Sequence, residues 1–201
     1  MFRFSSYALL AAVLAWLAAA DTRSAPDLTV VLDFKGTHSD RSVNEMEREA
    51  EGILKPSGLR LDWRLRADAA AESYKDLVVV RFKGACKVEP VPYVYDELGP
   101  LAFTYATDGT LQPFGEVACD QVAASVRSAM AGSDFEQADV LLGRALGRVL
   151  VHELVHMLTK SAHHAREGVE RQALSGRELI AASLPLSPVD LEHLRQIQRG
   201  R

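Results

Sequence analysis

Two cysteines are all that this chain of 201 residues contains. That excludes a scaffold of many disulfides, and it excludes a four-cysteine zinc site, whose paired CxxC spacing is absent. Positive charge is not in excess either. Against 27 Asp and Glu stand 23 Lys and Arg, a formal net charge of −4, so nothing electrostatic favours nucleic acid as a partner. No segment repeats at a solenoid period, none is of low complexity, and no Pro/Gly/Ser-rich linker divides the chain. What is present is ordinary for one globular domain with a substantial core: 48 % apolar and 25 % charged residues.

Long hydrophobic runs are scarce too. The chief one, Tyr7 to Ala20, is too short to span a bilayer comfortably. It follows Arg3 and ends in Ala18-Ala19-Ala20 before Asp21, the layout of a cleavable secretory signal. Residues 1–20 therefore read as a signal peptide, with an uncleaved N-terminal anchor as the alternative. Cleavage removes Arg3 and no acid, so residues 21–201 carry −5 and form a single secreted or periplasmic domain with no stable membrane insertion. In an oxidising compartment the pair Cys86 and Cys119 is most simply a disulfide.

The pattern along the mature chain alternates strands and helices. Leu28 to Phe34 is β-branched and apolar and predicts a buried strand. Ser42 with Glu45 three residues later reads as a capping box opening a helix to Leu54, with Val43, Met46, Ala50, Ile53 and Leu54 as its apolar stripe. Leu59 to Leu65 alternates and predicts a half-exposed strand; Asp76 to Phe82 predicts a third. Residues 84–100 read as a loop. Leu101 to Ala106 and Glu116 to Cys119 predict short strands on either side of an Asp108-Gly109 turn. Helices follow at Gln121 to Met130 and Phe135 to Leu158, the latter capped by Ser133 or Asp134, with Leu141, Leu142, Ala145, Leu146 and Val149 as its core face. Further capping boxes stand at Ser175 with Glu178 and at Ser187 with Asp190, where Pro188 opens a last helix to Gln198. This order predicts an α+β fold, a mixed twisted sheet packed against helices.

The long helix carries the chemistry. His152-Glu153-Leu154-Val155-His156 places two imidazoles at i and i+4 on one helical face, within reach of a single cation. Glu153, next round the helix, can touch a water on that cation without ligating it. Val151, Leu154, Val155 and Met157 interleave, so the imidazoles are not on a freely solvated face. A catalytic zinc site usually takes three protein ligands, and the candidates for the third are His163, His164, Glu167, Glu170 and Glu178. Glu178 has a separate task in its capping box.

The segment His152-Glu153-x-x-His156-Met157-Leu158, then His164, then Gly168-Val169, resembles a group of exported bacterial proteins with an HEIGHLLLGxxxHSxxGIM-like signature, distant relatives of the metzincins. The resemblance covers most of the mature chain but is specific only at this segment. It implies a zincin-like catalytic domain whose metal ligands are His152, His156 and His164, with His163 as the alternative third. Three positions depart from it: Val155 and Lys160 replace glycines, and Glu170 replaces the methionine that floors the site in metzincins.

The expected function is a secreted zinc-dependent metallopeptidase acting on peptides or proteins as a monomer, with Zn2+ as cofactor and Glu153 as general base. The resemblance further implies that an edge strand, here Leu101 to Ala106, pairs with the extended substrate. Tyr93, Tyr95 and Tyr105 are candidates to offer a phenol to the oxyanion. The alternatives are a non-catalytic metal-binding protein and an interaction module with incidental histidines; Glu153 separates the first of these from a hydrolase, because simple metal binding has no need of it.

Overall fold

A five-stranded sheet lies under helices in the computed structural model, which describes residues 26–69, 72–88 and 99–200. The signal reading of residues 1–20, Tyr93 and Tyr95 lie outside those residues. The strands are β1 (Leu28–Phe34), β2 (Leu61–Leu65), β3 (Leu77–Lys83), β4 (Ala102–Thr107) and β5 (Thr110–Ala118), in the order β2-β1-β3-β5-β4. All neighbours run parallel except β4, which is antiparallel to β5 at the sheet edge. The fold is α+β with a mixed sheet.

Parallel neighbours need crossovers, and α1 (Asp40–Leu54) supplies the one between β1 and β2. The β4–β5 pair instead closes as a tight hairpin. Asp108 at φ 51° and Gly109 at φ 76° give the two left-handed residues that such a turn requires. The other helices are the short α2 (Arg66–Ala69), then α3 (Cys119–Ala129), α4 (Ala138–Thr159), α5 (Gly176–Ile180) and α6 (Pro188–Arg199). None of the described helices is long and apolar enough to cross a membrane. Val30, Leu32, Val80, Phe82 and Val117 of the sheet meet Met46, Leu54, Leu142, Leu150 and Leu154 of the helices in one continuous core.

Several boundaries differ from the sequence reading, each for a physical reason. Ser39, not Ser42, caps α1: its hydroxyl accepts from Ser42 N–H at 3.4 Å and donates to Asp139 at 2.8 Å. Ser42 is buried inside the helix, and its spacing to Glu45 is the ordinary i,i+3 of a helical face. Strand β5 begins at Thr110 rather than Glu116. Pro113, which argues against a strand, sits at the irregularity of the β4–β5 register and before the β3–β5 pairing begins at Phe114, where its missing N–H costs no ladder bond. The active helix starts three residues late because Gly132–Gln137 forms a 3-10 helix, with Asp134 accepting from Ala131 N–H at 2.9 Å. Helix α3 starts at Cys119 and β4 at Ala102, shifts of one or two residues.

Cys86 and Cys119 form a disulfide that ties the segment after β3 to the first residue of α3. Closing a loop of 33 residues contributes roughly 3–4 kcal/mol in the chain-entropy model.

Helices α1 and α4 cross closely at Gly143 and Gly147. A methyl group on Gly147 would stand 2.7 Å from the Met46 carbonyl oxygen, and one on Gly143 would stand 2.5 Å from that of Ser42. Replacing an interior helical glycine with alanine usually stabilises by roughly 0.5–1 kcal/mol. Here the sign reverses: Gly147→Ala forces the two backbones apart and destabilises by about 1–3 kcal/mol. Urea denaturation reads this as a lower midpoint with an unchanged slope.

Candidate metal centre

Helix α4 delivers His152, Glu153 and His156 in its last two turns. It ends at Lys160, which takes the left-handed conformation at φ 54°. This is a place where the resembling proteins have glycine, and a lysine pays for the same turn in backbone strain of roughly 1–2 kcal/mol. The Lys160 ammonium donates to the Leu111 carbonyl at 3.1 Å, which anchors it. The chain then doubles back, and His164 comes to lie over the helical pair. Its ring centroid is 5.1 Å from that of His152 and 4.9 Å from that of His156.

Gly168 turns the chain beneath the site at φ 78°, and a side chain there would meet the Pro185 carbonyl oxygen at 2.5 Å. This turn presents the Val169 carbonyl to His152, whose Nδ1 lies 3.0 Å from it. His156 Nδ1 lies 2.7 Å from the Ser161 carbonyl. A carbonyl only accepts, so each Nδ1 donates, and the network assigns both Nε2 atoms as lone-pair carriers when the rings are neutral. Those two Nε2 atoms are 3.1 Å apart. Two lone pairs at that separation repel unless a proton or a cation stands between them.

His164 brings the third nitrogen, and one ligand atom from each of the three histidines lies within 4.8 Å of the others. Three imidazole nitrogens, two of them oriented by backbone carbonyls through the opposite ring nitrogen, form a donor set that suits zinc. Burial pulls His152 down to about 4, mainly by desolvating its charged form, and lowers His164 for the same first reason. Both rings are accordingly neutral donors at pH 7.

Glu153 is 4 % exposed and accepts a 2.6 Å hydrogen bond from the Thr104 hydroxyl on β4. Burial pushes its carboxyl up to about 7, with the Thr104 bond acting in the opposite direction. The trio and Glu153 line a cleft of about 1080 Å³ whose other walls include Leu101, Thr104 and Leu174. Strand β4 borders this cleft at the sheet edge.

His163, Glu167, Glu178 and Tyr105 sit elsewhere. His163 is exposed, and so is Glu167. Glu178 accepts from Ser175 N–H at 2.9 Å in its capping box and pairs with Arg171. Tyr105 turns away from the trio and donates to Glu116 at 3.3 Å. One residue that sequence reasoning missed, and one that it gave another role, belong to the site. Thr104 was discoverable from strand alternation, since Phe103 and Tyr105 are exposed and the residue between them faces α4. Glu170 had been counted only as a possible ligand, yet it lies at the base of the site, 1 % exposed, with its carboxylate 3.7 Å from His152 Nδ1 and 4.0 Å from His156 Nε2. Burial, then the nearby Asp190 and Glu153 carboxylates, push Glu170 up to about 9.

No family model matches this chain, and no curated protein does. The reading of the site accordingly rests on its own geometry.

Proposed function

We propose that this chain is an exported, zinc-dependent metallopeptidase of metzincin-like character. The observation that carries the proposal is the meeting of three imidazoles, from α4 and from the chain that follows it, beside a buried carboxylate on the floor of a cleft. His152, His156 and His164 would hold the ion, and a zinc ion held so supplies Lewis-acid activation of water and of a carbonyl.

The protein's own groups do the rest. Glu153 takes the proton of the attacking water and passes it to the leaving amine, which calls for a carboxyl that exchanges protons near neutral pH. Burial supplies that property. The Thr104 hydroxyl fixes the direction in which the carboxylate points. Among the described residues no strand covers the outer edge of β4, which would lay an extended peptide along the cleft beside Glu153. An apolar wall that includes Leu101 and Leu174 keeps bulk water from the bond being cut.

A metal-binding protein without catalysis would share the three histidines. It would have no use for a desolvated carboxylate hydrogen-bonded at the cleft floor, which is the specific reason to favour a hydrolase. The test is hydrolysis of an unstructured protein such as casein by purified residues 21–201. Cleavage that stops with a chelator and returns with zinc supports the proposal; bound zinc with no cleavage of any peptide refutes the enzyme and leaves the binding protein.

A further inference from the structure

Glu170 has a position that the catalytic reading leaves unused. Its side chain is buried to 1 % exposure, and its Oε1 has no hydrogen-bond partner. Among the described residues no lysine or arginine pairs with it; its only neighbours of opposite potential are His152 and His156, at 3.7 and 4.0 Å. Those separations are too long for hydrogen bonds. The other titratable groups near it, Glu153 and Asp190, are acidic and oppose it. An acid so placed, with a buried oxygen that has no partner, costs free energy that a protein normally avoids by pairing the group.

The position is also chemically selective. His152 Nδ1 donates to the Val169 carbonyl, and the next residue brings the Glu170 carboxylate to the same nitrogen. The carboxylate is not one of the group of side chains able to converge on a single ion. It stands behind the His152 ring, near Nδ1, and on the Nε2 side of His156, where a negative charge strengthens donation through the His152 ring and balances a dication in a medium of low dielectric.

We propose that Glu170 is the outer-sphere counter-charge of the metal centre, a positioning residue that sets the affinity of the histidine trio for a divalent ion. The inference rests on the metal-centre reading but not on peptidase activity. In it the orphaned carboxylate is stabilised by the ion, and the ion by the carboxylate. The buried acid is therefore retained for binding, at the expense of the metal-free fold.

The experiment is zinc titration of the full mature chain against a competing chromophoric chelator, for wild type, Glu170→Gln and Glu170→Met, with thermal melts of the same proteins without and with zinc. The expected result is a 10- to 100-fold weaker zinc affinity in both variants. Their metal-free melting temperatures stay at or above that of wild type, and their gain in melting temperature on adding zinc is smaller. Equal zinc affinity in wild type and Glu170→Gln overturns the role of Glu170 while leaving the metal centre standing. Metal-free variants that melt well below wild type overturn it too, because they make Glu170 a structural residue. A wild-type chain that takes up no zinc removes both this inference and the centre on which it rests.

Discussion

Glu153→Gln leaves zinc uptake intact and lowers peptide hydrolysis by roughly 10²–10⁴-fold, the span that a positioned general base contributes. Glutamine keeps the size of the side chain and still accepts the Thr104 hydrogen bond through its amide oxygen, so the fold and the histidine trio are undisturbed. It has no site for the water's proton. The measurement is a steady-state assay beside a metal analysis of the same preparation. The loss belongs in kcat, with KM little changed, because the missing interaction is one made in the transition state. Wild-type activity in this variant would show that the carboxylate is not the base. The pH profile carries a further sign. Glu153 works ionised, and burial, against the opposing Thr104 bond, places its ionisation near pH 7 before any cation is bound. A dication at the trio favours the ionised form, so hydrolysis rises with pH along an acidic limb whose midpoint lies below about 7.

Arg148→Ala destabilises the fold by about 3–5 kcal/mol, the scale observed when one partner of a buried ion pair is removed. Arg148 is fully buried in α4, one turn before His152. Its Nε donates to Glu49 of α1 at 2.7 Å, and its two terminal nitrogens donate to the carbonyls of Glu178 at 2.6 Å and Ala181 at 2.8 Å. One guanidinium thus joins α1, α4 and the end of α5, giving a second donor to carbonyls that Ala181 N–H and Arg144 reach only at 3.4 Å. Burial lowers its pKa, and the Glu49 hydrogen bond opposes that. Truncation strands the Glu49 carboxylate and takes the shorter of two hydrogen bonds from each carbonyl. At about 2–4 °C per kcal/mol for a domain of this size, the melting temperature drops by roughly 6–20 °C. The double variant Arg148→Met, Glu49→Leu recovers much of the loss, since a well-packed apolar pair replaces a buried ionic one at little cost. If the double variant is no better than the alanine variant, the carbonyl bonds rather than the charge pair dominate.

The contrast between Glu153 and Arg148 shows what the amino-acid order makes legible. Glu153 is found from five consecutive residues, because helical periodicity alone puts His152 and His156 on one face with the acid beside them. The disulfide follows from counting, since two cysteines have only each other to pair with. His164 is harder: its return to the helix depends on the left-handed turn at Lys160, and nothing in a lysine announces positive φ. Arg148 reads as one more charge on a helix, and only the packing of three helices makes it a buried tie. Thr104 and Glu170 are distant from the motif or lie past a turn, so their approach to the histidine trio is a tertiary event. The reach of β5 back through Pro113 is a further long-range effect, because the local irregularity of β4 against β5 removes the demand for its N–H. Local rules thus found the elements that local bonds determine. Long-range packing decided the rest.

Metal content of the purified mature chain tests the central claim most directly. Elemental analysis after removal of loosely held ions should give about one zinc per wild-type chain, retained in His163→Ala and lost in His152→Ala, His156→Ala and His164→Ala. A wild-type chain free of zinc after incubation with the ion, or an undiminished content in His164→Ala, would contradict the account.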